Sequence, residues 1–149
     1  MSIYLQPLIE DDAQSLFQFE LENRVFFEKM VPTRGNDYYD YPYFQMNHKK
    51  LLTEQRDGQS FFYLIKDKSG EIVGRMNIVD VTKGRQSAEI GYRVGEAYMG
   101  KGIASVALQL AIEEALKLNI KELRAKTTTN NYPSQKVLER NGFFSGFHK

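Results

Sequence analysis

The chain has 149 residues, a formal net charge of +1, no cysteine, 42% hydrophobic residues and 26% charged residues. This length suits one ordinary core, so a single domain over residues 1–149 is expected. The absence of cysteine excludes disulfides, thiolate metal sites and a cysteine nucleophile, and the balanced charge gives no general attraction for nucleic acid. No apolar run could span a membrane and the N-terminus is acidic, so we expect a cytoplasmic protein without a membrane partner.

The first third of the chain predicts a strand, a helix, a loop and a second helix. Ile3 to Leu8 is expected as a short strand, and residues 10–23 as a helix with aspartates near its start. Residues 31–44 are polar and rich in tyrosine, which predicts a loop. A second helix is expected from Gln45 to Arg56.

Three β-rich runs follow, separated by short polar turns. The first turn, Lys68 to Gly70, is typical of a hairpin, so the runs predict an antiparallel meander. They span 60–67, 71–81 and 87–94.

The remaining segments alternate between helix and strand. Residues 102–119 have the apolar periodicity of a helix packed on a sheet, and residues 123–128 predict a strand. Residues 132–144 predict a short helix that stops at Gly142. The fold class expected is therefore α+β, with a mixed and mostly antiparallel central sheet flanked by helices.

The turn before the long helix carries the pattern of an anion site. Residues 95–101 match the first seven positions of a P-loop, but Gly102 stands where the magnesium-binding hydroxyl belongs. Gly100 and Gly102 also begin a dinucleotide fingerprint, but Ser105 replaces its third glycine and no parallel βαβ unit precedes it. A tight turn with no ligand would also explain the glycines.

A third pattern, R/Q-x-x-G-x-G/A, matches Met99-Gly100-Lys101-Gly102-Ile103-Ala104 at every position except the first. With AEIGYRV before it and NYPSQKVLERNGF near the end, the sequence resembles the GNAT superfamily of N-acetyltransferases, RimJ/RimL-like branch. The resemblance implies the GNAT-type acyl-CoA N-acyltransferase fold, with acetyl-CoA as co-substrate and no metal. The diphosphate of coenzyme A would bind the backbone N–H groups of this turn, at the positive end of the following helix.

The resemblance also implies cofactor-binding residues around this turn. Met99 departs from the family pattern, which weakens phosphate contact without removing the backbone site. Lys101 either contacts phosphate or is a solvated turn residue. The Val94 N–H would hold the thioester carbonyl oxygen, and Asn131 would bind the pantetheine amides and cap the last helix.

Two residues are candidates for proton transfer. Glu89 shares one face of its strand with Gly91 and Arg93, and could accept the amine's proton directly or through water. The alternative is a structural ion pair of Glu89 with Arg75 or Arg93. Ser134 is the candidate donor to the leaving thiolate, because Leu138 stands where many relatives have tyrosine; otherwise Ser134 only caps its helix.

The acceptor is expected near the tyrosine-rich loop. Its tyrosines either line a slot for a peptide N-terminus, with Asp37 and Asp40 attracting the amine's charge, or only pack on the sheet. The two histidines, His48 and His148, have no carboxylates at metal-ligand spacing and are expected at the surface.

Two classes of function remain open from the sequence. One is an enzyme that transfers acetyl from acetyl-CoA to a primary amine, as on a ribosomal or other protein N-terminus. The other is a non-catalytic acyl-CoA-binding or interaction module, suggested by Met99, Leu138 and a shortened C-terminus. Relatives place a final strand between segments matching 123–127 and 143–147 here. We expect a homodimer or direct pairing of these segments to close that gap, or the gap to be closed only poorly.

Overall fold

The computed structural model describes residues 2–30, 35–125 and 132–143. Five strands and five α-helices lie in these ranges, in the order β1 Ile3–Pro7, α1 Ala13–Glu22, α2 Arg24–Met30, α3 Tyr41–Arg56, β2 Phe61–Asp67, β3 Ile72–Thr82, β4 Ser87–Val94, α4 Ile103–Lys117, β5 Glu122–Ala125 and α5 Tyr132–Arg140. Short 3-10 turns precede three of the helices, at Glu10–Asp12, Asn36–Tyr39 and Glu96–Tyr98. Of the helices described, none has the length and apolar character needed to span a lipid bilayer.

The described strands form one sheet in the order β1-β2-β3-β4-β5. The first four are antiparallel neighbours and β5 runs parallel to β4, which confirms the predicted meander and mixed sheet. The predicted hairpin turn is held by Asp67, whose carboxylate accepts bonds from the N–H groups of Ser69 and Glu71 and from the Ser69 hydroxyl. The bond from that hydroxyl is the main cause of a lowered pKa at Asp67.

Each face of the sheet carries its own hydrophobic cluster. The α4-side cluster joins α4 and the Leu138 side chain of α5 to inward residues of all three central strands, among them Met76 and Ile90. The helical-cap cluster, on the other face, joins α1, α2 and α3 to β2 through residues such as Leu16, Phe44 and Leu64. Because both faces of the sheet are covered, β2 and β3 contain nearly continuous runs of buried residues. Successive side chains of each strand still point alternately toward α4 and toward the cap.

The structure corrects three predictions in the cap. Residues 24–30 form α2, and α3 begins at Tyr41 rather than Gln45 because Asp40 caps it, accepting the Tyr43 N–H at 3.3 Å. His48 is not at the surface: it is 3% exposed, and its Nε2 lies 2.9 Å from the Ile9 carbonyl oxygen. Its position on α3 faces the strand–helix connection, and its other ring nitrogen, Nδ1, is buried without a hydrogen bond to any described residue. His148 lies outside the described residues.

Candidate active site

The glycine turn, Met99–Ala104, leaves the start of α4 uncovered. Gly100 and Gly102 have φ angles of 77° and 76°, a left-handed conformation that favours glycine. α4 has no side-chain cap and no acidic residue in its first turn, so the first N–H groups of the helix have no partner within it. Gly100, Lys101 and Gly102 are exposed, which leaves this positive helix end accessible to an anion.

Three side chains of the turn have different surroundings. Ile103 is 2% exposed and anchors the start of α4 in the α4-side cluster. Met99 is 39% exposed, and the Lys101 Nζ lies 5.9 Å from the centroid of the Tyr98 ring. The packing of Ile103 in the core therefore fixes the backbone of the turn, while the outer surface of the turn faces solvent.

β4 directs alternate N–H groups toward its two neighbouring strands. The Gly95 N–H donates to the Val73 carbonyl at 2.8 Å, so odd-numbered positions of β4 bond to β3. The backbone groups of even-numbered positions face β5: the Gln86 carbonyl, for example, accepts a hydrogen bond from the Glu122 N–H. The Val94 N–H consequently points away from β3, four residues past Ile90, the last β4 residue that pairs with β5 in the described ladder.

Glu89 lies on the opposite side of β4 from the α4-side cluster. Its neighbours Ala88 and Ile90 are 0% and 4% exposed, whereas Glu89 is half-buried on the cap face. It stands between Val79 of β3 and Arg124 of β5 in the sheet register. The face assignment predicted for this strand is confirmed; the catalytic role of Glu89 stays a prediction.

Both arginines considered as partners for Glu89 contact Glu20 of α1. Arg75 and Arg93 face each other across β3 and β4, and Glu20, which is fully buried, reaches both, at 3.0 Å and 3.3 Å. The Arg75 Nη1 also donates to the Tyr38 hydroxyl at 3.0 Å. Glu20 was not predicted from the sequence, although its place on the apolar stripe of α1, four residues after Leu16, is a signal for a buried charge.

The Arg75–Glu20–Arg93–Tyr38 network holds the cap to the sheet by charge. Burial lowers the pKa of the Arg75 guanidinium, but the neighbouring Tyr38 and Glu20 outweigh burial and raise that pKa overall. The Arg93 guanidinium carbon also lies 4.5 Å from the Phe27 ring centroid of α2. One carboxylate thus fixes α1 against two strands, and Tyr38 brings the turn before α3 to the same point.

The structure bears on one of the two roles that the sequence left open for the tyrosine-rich segment. Tyr38 is 7% exposed and packs edge-on against Tyr39 and Phe44. Tyr43, by contrast, is 44% exposed, and Asp37 and Asp40 are exposed as well. Packing on the sheet therefore holds for Tyr38, while an acceptor slot at this segment stays a prediction.

α5 lies beside the glycine turn through its contacts with α4. The Asn141 Nδ2 donates to the Ser105 Oγ at 3.2 Å, and Leu138 is 8% exposed within the α4-side cluster. Leu138, which stands where many relatives have tyrosine, is thus part of the hydrophobic core in this chain. Ser134 is in the first turn of α5, but its side chain lies outside what the structure describes, as do Asn131 and residues 126–127 and 144–147 of the two predicted segments.

The combination of a mixed sheet, a cap of three helices and a glycine turn before a long helix is the GNAT-type acyl-CoA N-acyltransferase fold. Among solved structures, RimJ of Mycobacterium smegmatis in complex with CoA-disulfide superposes with a TM-score of 0.88 at 28% identity, over 97% of this chain and 71% of that one. The ribosomal-protein-S5-alanine acetyltransferase of Vibrio fischeri gives a TM-score of 0.89 at 22% identity, over 97% of this chain and 80% of that one, a likeness of fold alone.

Residues 2–144 match the family model of the GNAT acetyltransferase domain, so the chain belongs to this family. The probable N-acetyltransferase YjcK of Bacillus subtilis is 30% identical over 155 residues, which cover 99% of this chain and 81% of that protein. The [ribosomal protein uS5]-alanine N-acetyltransferase of Escherichia coli is 29% identical over 141 residues, covering 91% and 72% respectively.

These similarities confirm the resemblance found in the sequence and decide between its two functional classes. The chain is an acetyl-CoA-dependent N-acetyltransferase of RimJ/RimL-like type, and the non-catalytic module is not supported.

Proposed function

We propose that this protein acetylates the α-amino group of a protein or peptide N-terminus, with ribosomal proteins as the first candidates. Curated relatives are named for alanine of ribosomal protein uS5 and for serine of a ribosomal protein, which supports an acceptor with a small first residue. Such acceptors imply that the protein works in the cytoplasm. The observation that carries the acetyl-CoA part of the proposal is the uncovered start of α4 behind Gly100 and Gly102.

The glycine turn would bind the diphosphate of acetyl-CoA. Backbone N–H groups of residues 100–104 can approach two phosphates closely because neither glycine has a side chain, and the α4 dipole favours the same charge. Lys101 adds a cation next to them, and Met99 contributes only apolar contact. Asn131 and Ser134 would bind along the pantetheine arm, at the start of α5.

The chemical step is a direct transfer between two bound substrates. The neutral amine nitrogen attacks the thioester carbon, a C–N bond forms, and the C–S bond breaks to release the coenzyme A thiolate. The Val94 N–H would donate to the carbonyl oxygen as it gains negative charge. Glu89 would take the proton that the amine loses, directly or through water. Ser134 would donate its hydroxyl proton to the leaving thiolate and would itself be reprotonated from solvent.

Two measurements on the unmodified protein test this function. Acetyl-CoA should raise the melting temperature, whereas NAD or ATP with magnesium should not, because the turn lacks both the magnesium hydroxyl and the third fingerprint glycine. When hexapeptides that begin with alanine or serine are added with acetyl-CoA, the protein should release free coenzyme A thiol. The same peptides with an acetylated N-terminus are the matched control. The proposal would be contradicted if ATP with magnesium raised the melting temperature as much as acetyl-CoA does. It would also be contradicted if acetylated peptides caused as much thiol release as peptides with a free N-terminus.

A further inference from the structure

Asn23 stands where α1, α2 and the end of β4 meet. It is the half-buried residue between the two helices, and each of its four polar atoms makes a hydrogen bond. Its backbone N–H and its side-chain Nδ2 donate to the Phe19 carbonyl, and its own carbonyl accepts the Phe27 N–H. These three bonds hold the junction of the two helices. The fourth, from the Glu96 N–H to the Asn23 Oδ1 at 2.9 Å, joins residues 73 positions apart in the chain.

The bond from Glu96 fixes a position rather than supplying a missing partner. Residue 96 is exposed, so water could accept the hydrogen bond of its N–H. Water would leave the chain after β4 free to shift, whereas a side chain anchored on α1 holds that chain at a set distance from the helix. The amide of Asn23 has little freedom to follow a moving donor, because its nitrogen is bonded to the Phe19 carbonyl at 2.9 Å.

Gly95 allows the asparagine to approach the backbone this closely. Its φ of −62° is ordinary for any residue, so the backbone conformation does not require glycine there. A Cβ built on it would lie 3.1 Å from the Phe19 Cε1, closer than the roughly 3.5–4.0 Å at which carbon atoms pack best. The same Cβ would lie 3.3 Å from the Asn23 Oδ1. Glycine at this position therefore leaves room for the end of α1 against the end of β4.

The Asn23 bond lies two residues beyond Val94. Val94 is 5% exposed, and its side chain packs in the α4-side cluster. The next N–H, of Gly95, donates to the Val73 carbonyl of β3, and the one after it, of Glu96, donates to Asn23 on the cap. Contacts with α4, with β3 and with the cap thus fix the end of β4 from three directions. Asn23 provides the contact with the cap, just where the chain leaves the sheet for the glycine turn.

We propose that Asn23 is a positioning residue for acetyl transfer. By holding the Glu96 N–H it fixes the end of β4, so that the Val94 N–H stays aimed at the thioester carbonyl oxygen as that oxygen gains charge. Such a donor is effective only at about 2.7–3.1 Å from the developing oxyanion, so a small displacement of the strand end removes most of its effect. Asn23 acts through the backbone and needs no contact with either substrate. This inference rests on the proposed function, because it explains how that reaction's oxyanion donor is held in place.

Substitution of Asn23 tests this role through kcat. Rates are measured with a hexapeptide that begins with alanine, with both substrates saturating. Asn23→Ala should lower kcat about 10- to 100-fold, less than the roughly 100- to 1000-fold loss that follows removal of a whole oxyanion donor. The KM for acetyl-CoA should stay within about twofold, because the glycine turn keeps its own backbone. Asn23→Asp keeps an acceptor for the Glu96 N–H and should retain most of kcat, although it loses the bond to the Phe19 carbonyl and with it some stability.

Gln55 gives the matched control. Its side-chain amide also donates to a backbone carbonyl, that of Leu8, and accepts a backbone N–H, that of Phe62, both at 2.9 Å. It therefore joins α3 to the β1–β2 edge of the sheet by the same two kinds of bond that Asn23 makes. Gln55→Ala should lower the melting temperature, as Asn23→Ala does, but leave kcat unchanged. The pair of variants thus separates loss of stability from loss of alignment.

The bound thioester provides a readout that a loss of stability does not move. Infrared spectra are recorded for acetyl-CoA with an isotopic label at the thioester carbonyl, bound to each protein in the absence of peptide. A hydrogen bond to the carbonyl oxygen weakens the C=O bond and lowers its stretching frequency. The carbonyl band of the Asn23→Ala complex should therefore stand at higher frequency than the bands of the unmodified and Gln55→Ala complexes.

The outcomes separate this inference from the function on which it rests. If the unmodified protein acetylates the peptide but Asn23→Ala matches Gln55→Ala in kcat and in the carbonyl band, the positioning role is refuted and the enzyme activity stands. If the unmodified protein binds acetyl-CoA but acetylates no amine-bearing peptide, the proposed function fails and the role of Asn23 fails with it. Melting temperature identifies an Asn23→Ala protein that does not fold. In that case Asn23→Ser, which keeps a hydroxyl at the helix end but is too short to reach Glu96, decides by the same measurements.

Discussion

At Gly102 glycine is needed both for the backbone and for the ligand. Its φ of 76° costs a side chain about 1–2 kcal/mol, and the diphosphate is expected to approach the space a Cβ would fill. Gly102→Ala should therefore destabilise the protein by about that amount and also weaken acetyl-CoA binding by about tenfold or more. Calorimetric titration and urea unfolding measure the two effects.

A variant of Gly70 serves as the control that distinguishes backbone strain from loss of ligand contact. Its φ is 87° and a Cβ there would also meet open space, but it lies in the β2–β3 turn away from the glycine turn. Gly70→Ala should cost similar stability and leave acetyl-CoA affinity unchanged. Equal loss of affinity in both variants would mean that Gly102 acts only through stability.

Single residues differ in how far the sequence reveals them. The glycine turn was predicted because its pattern is local: two glycines beside a helix start determine the backbone geometry. Glu20 and His48 were not, because their partners, Arg75 and the Ile9 carbonyl, are 55 and 39 residues away in the chain. A polar residue on an apolar stripe signals burial, but only the tertiary fold shows what it bonds to.

Among the elements, α1 depends on a buried charge for its position on the sheet. Glu20→Gln would remove the carboxylate that contacts both Arg75 and Arg93, which face each other across β3 and β4. Breaking a buried ion pair in this way typically costs about 3–5 kcal/mol. Urea unfolding should therefore show a loss of stability of that size.

The surface pair Arg24–Glu28 gives a matched control for this effect. It joins the same charge types at 3.1 Å, but its side chains are 33% and 32% exposed. Glu28→Gln should cost no more than about 1 kcal/mol, since exposed pairs contribute little. A Glu20→Gln protein as stable as Glu28→Gln would show that the network is dispensable for folding.

Elements with strong periodicity were predicted well, and those fixed by tertiary contacts were not. The three central strands and α4 have alternating or helical apolar patterns, and their bounds agree with the prediction within a residue or two. The start of α3 was missed because the tyrosines of residues 41–44 suggested a loop, whereas the Asp40 cap and the burial of Phe44 make them helical. Within α4, Val106 is 47% exposed although it continues the apolar pattern of the helix.

At the scale of the molecule, the sheet separates two tasks. The α4 side carries the glycine turn and the apolar core, and the cap side carries Glu89, Gly91 and the charged network. The sequence could predict this division because side chains alternate along β4. It could not predict which cap residues meet, because that depends on how α1, α2 and the turn before α3 pack together.

On the α4 side, a buried tyrosine makes the stability of the whole protein decrease at alkaline pH. Burial, with a smaller contribution from Glu114, raises the pKa of Tyr63 from 10.0 to about 12, and Tyr63 is only 6% exposed. As pH rises above 10, the unfolded chain loses this proton while the folded protein keeps it, so folding becomes less favourable. The stabilising contribution is complete below pH 10 and is lost as pH rises toward 12, by about 2–3 kcal/mol in total. Tyr63→Phe cannot ionise, so its free energy of unfolding, measured in urea, should fall less steeply than that of the unmodified protein across this range. Parallel pH dependence of the two proteins between pH 10 and 12 would show that Tyr63 ionises as readily in the folded state as in the unfolded chain.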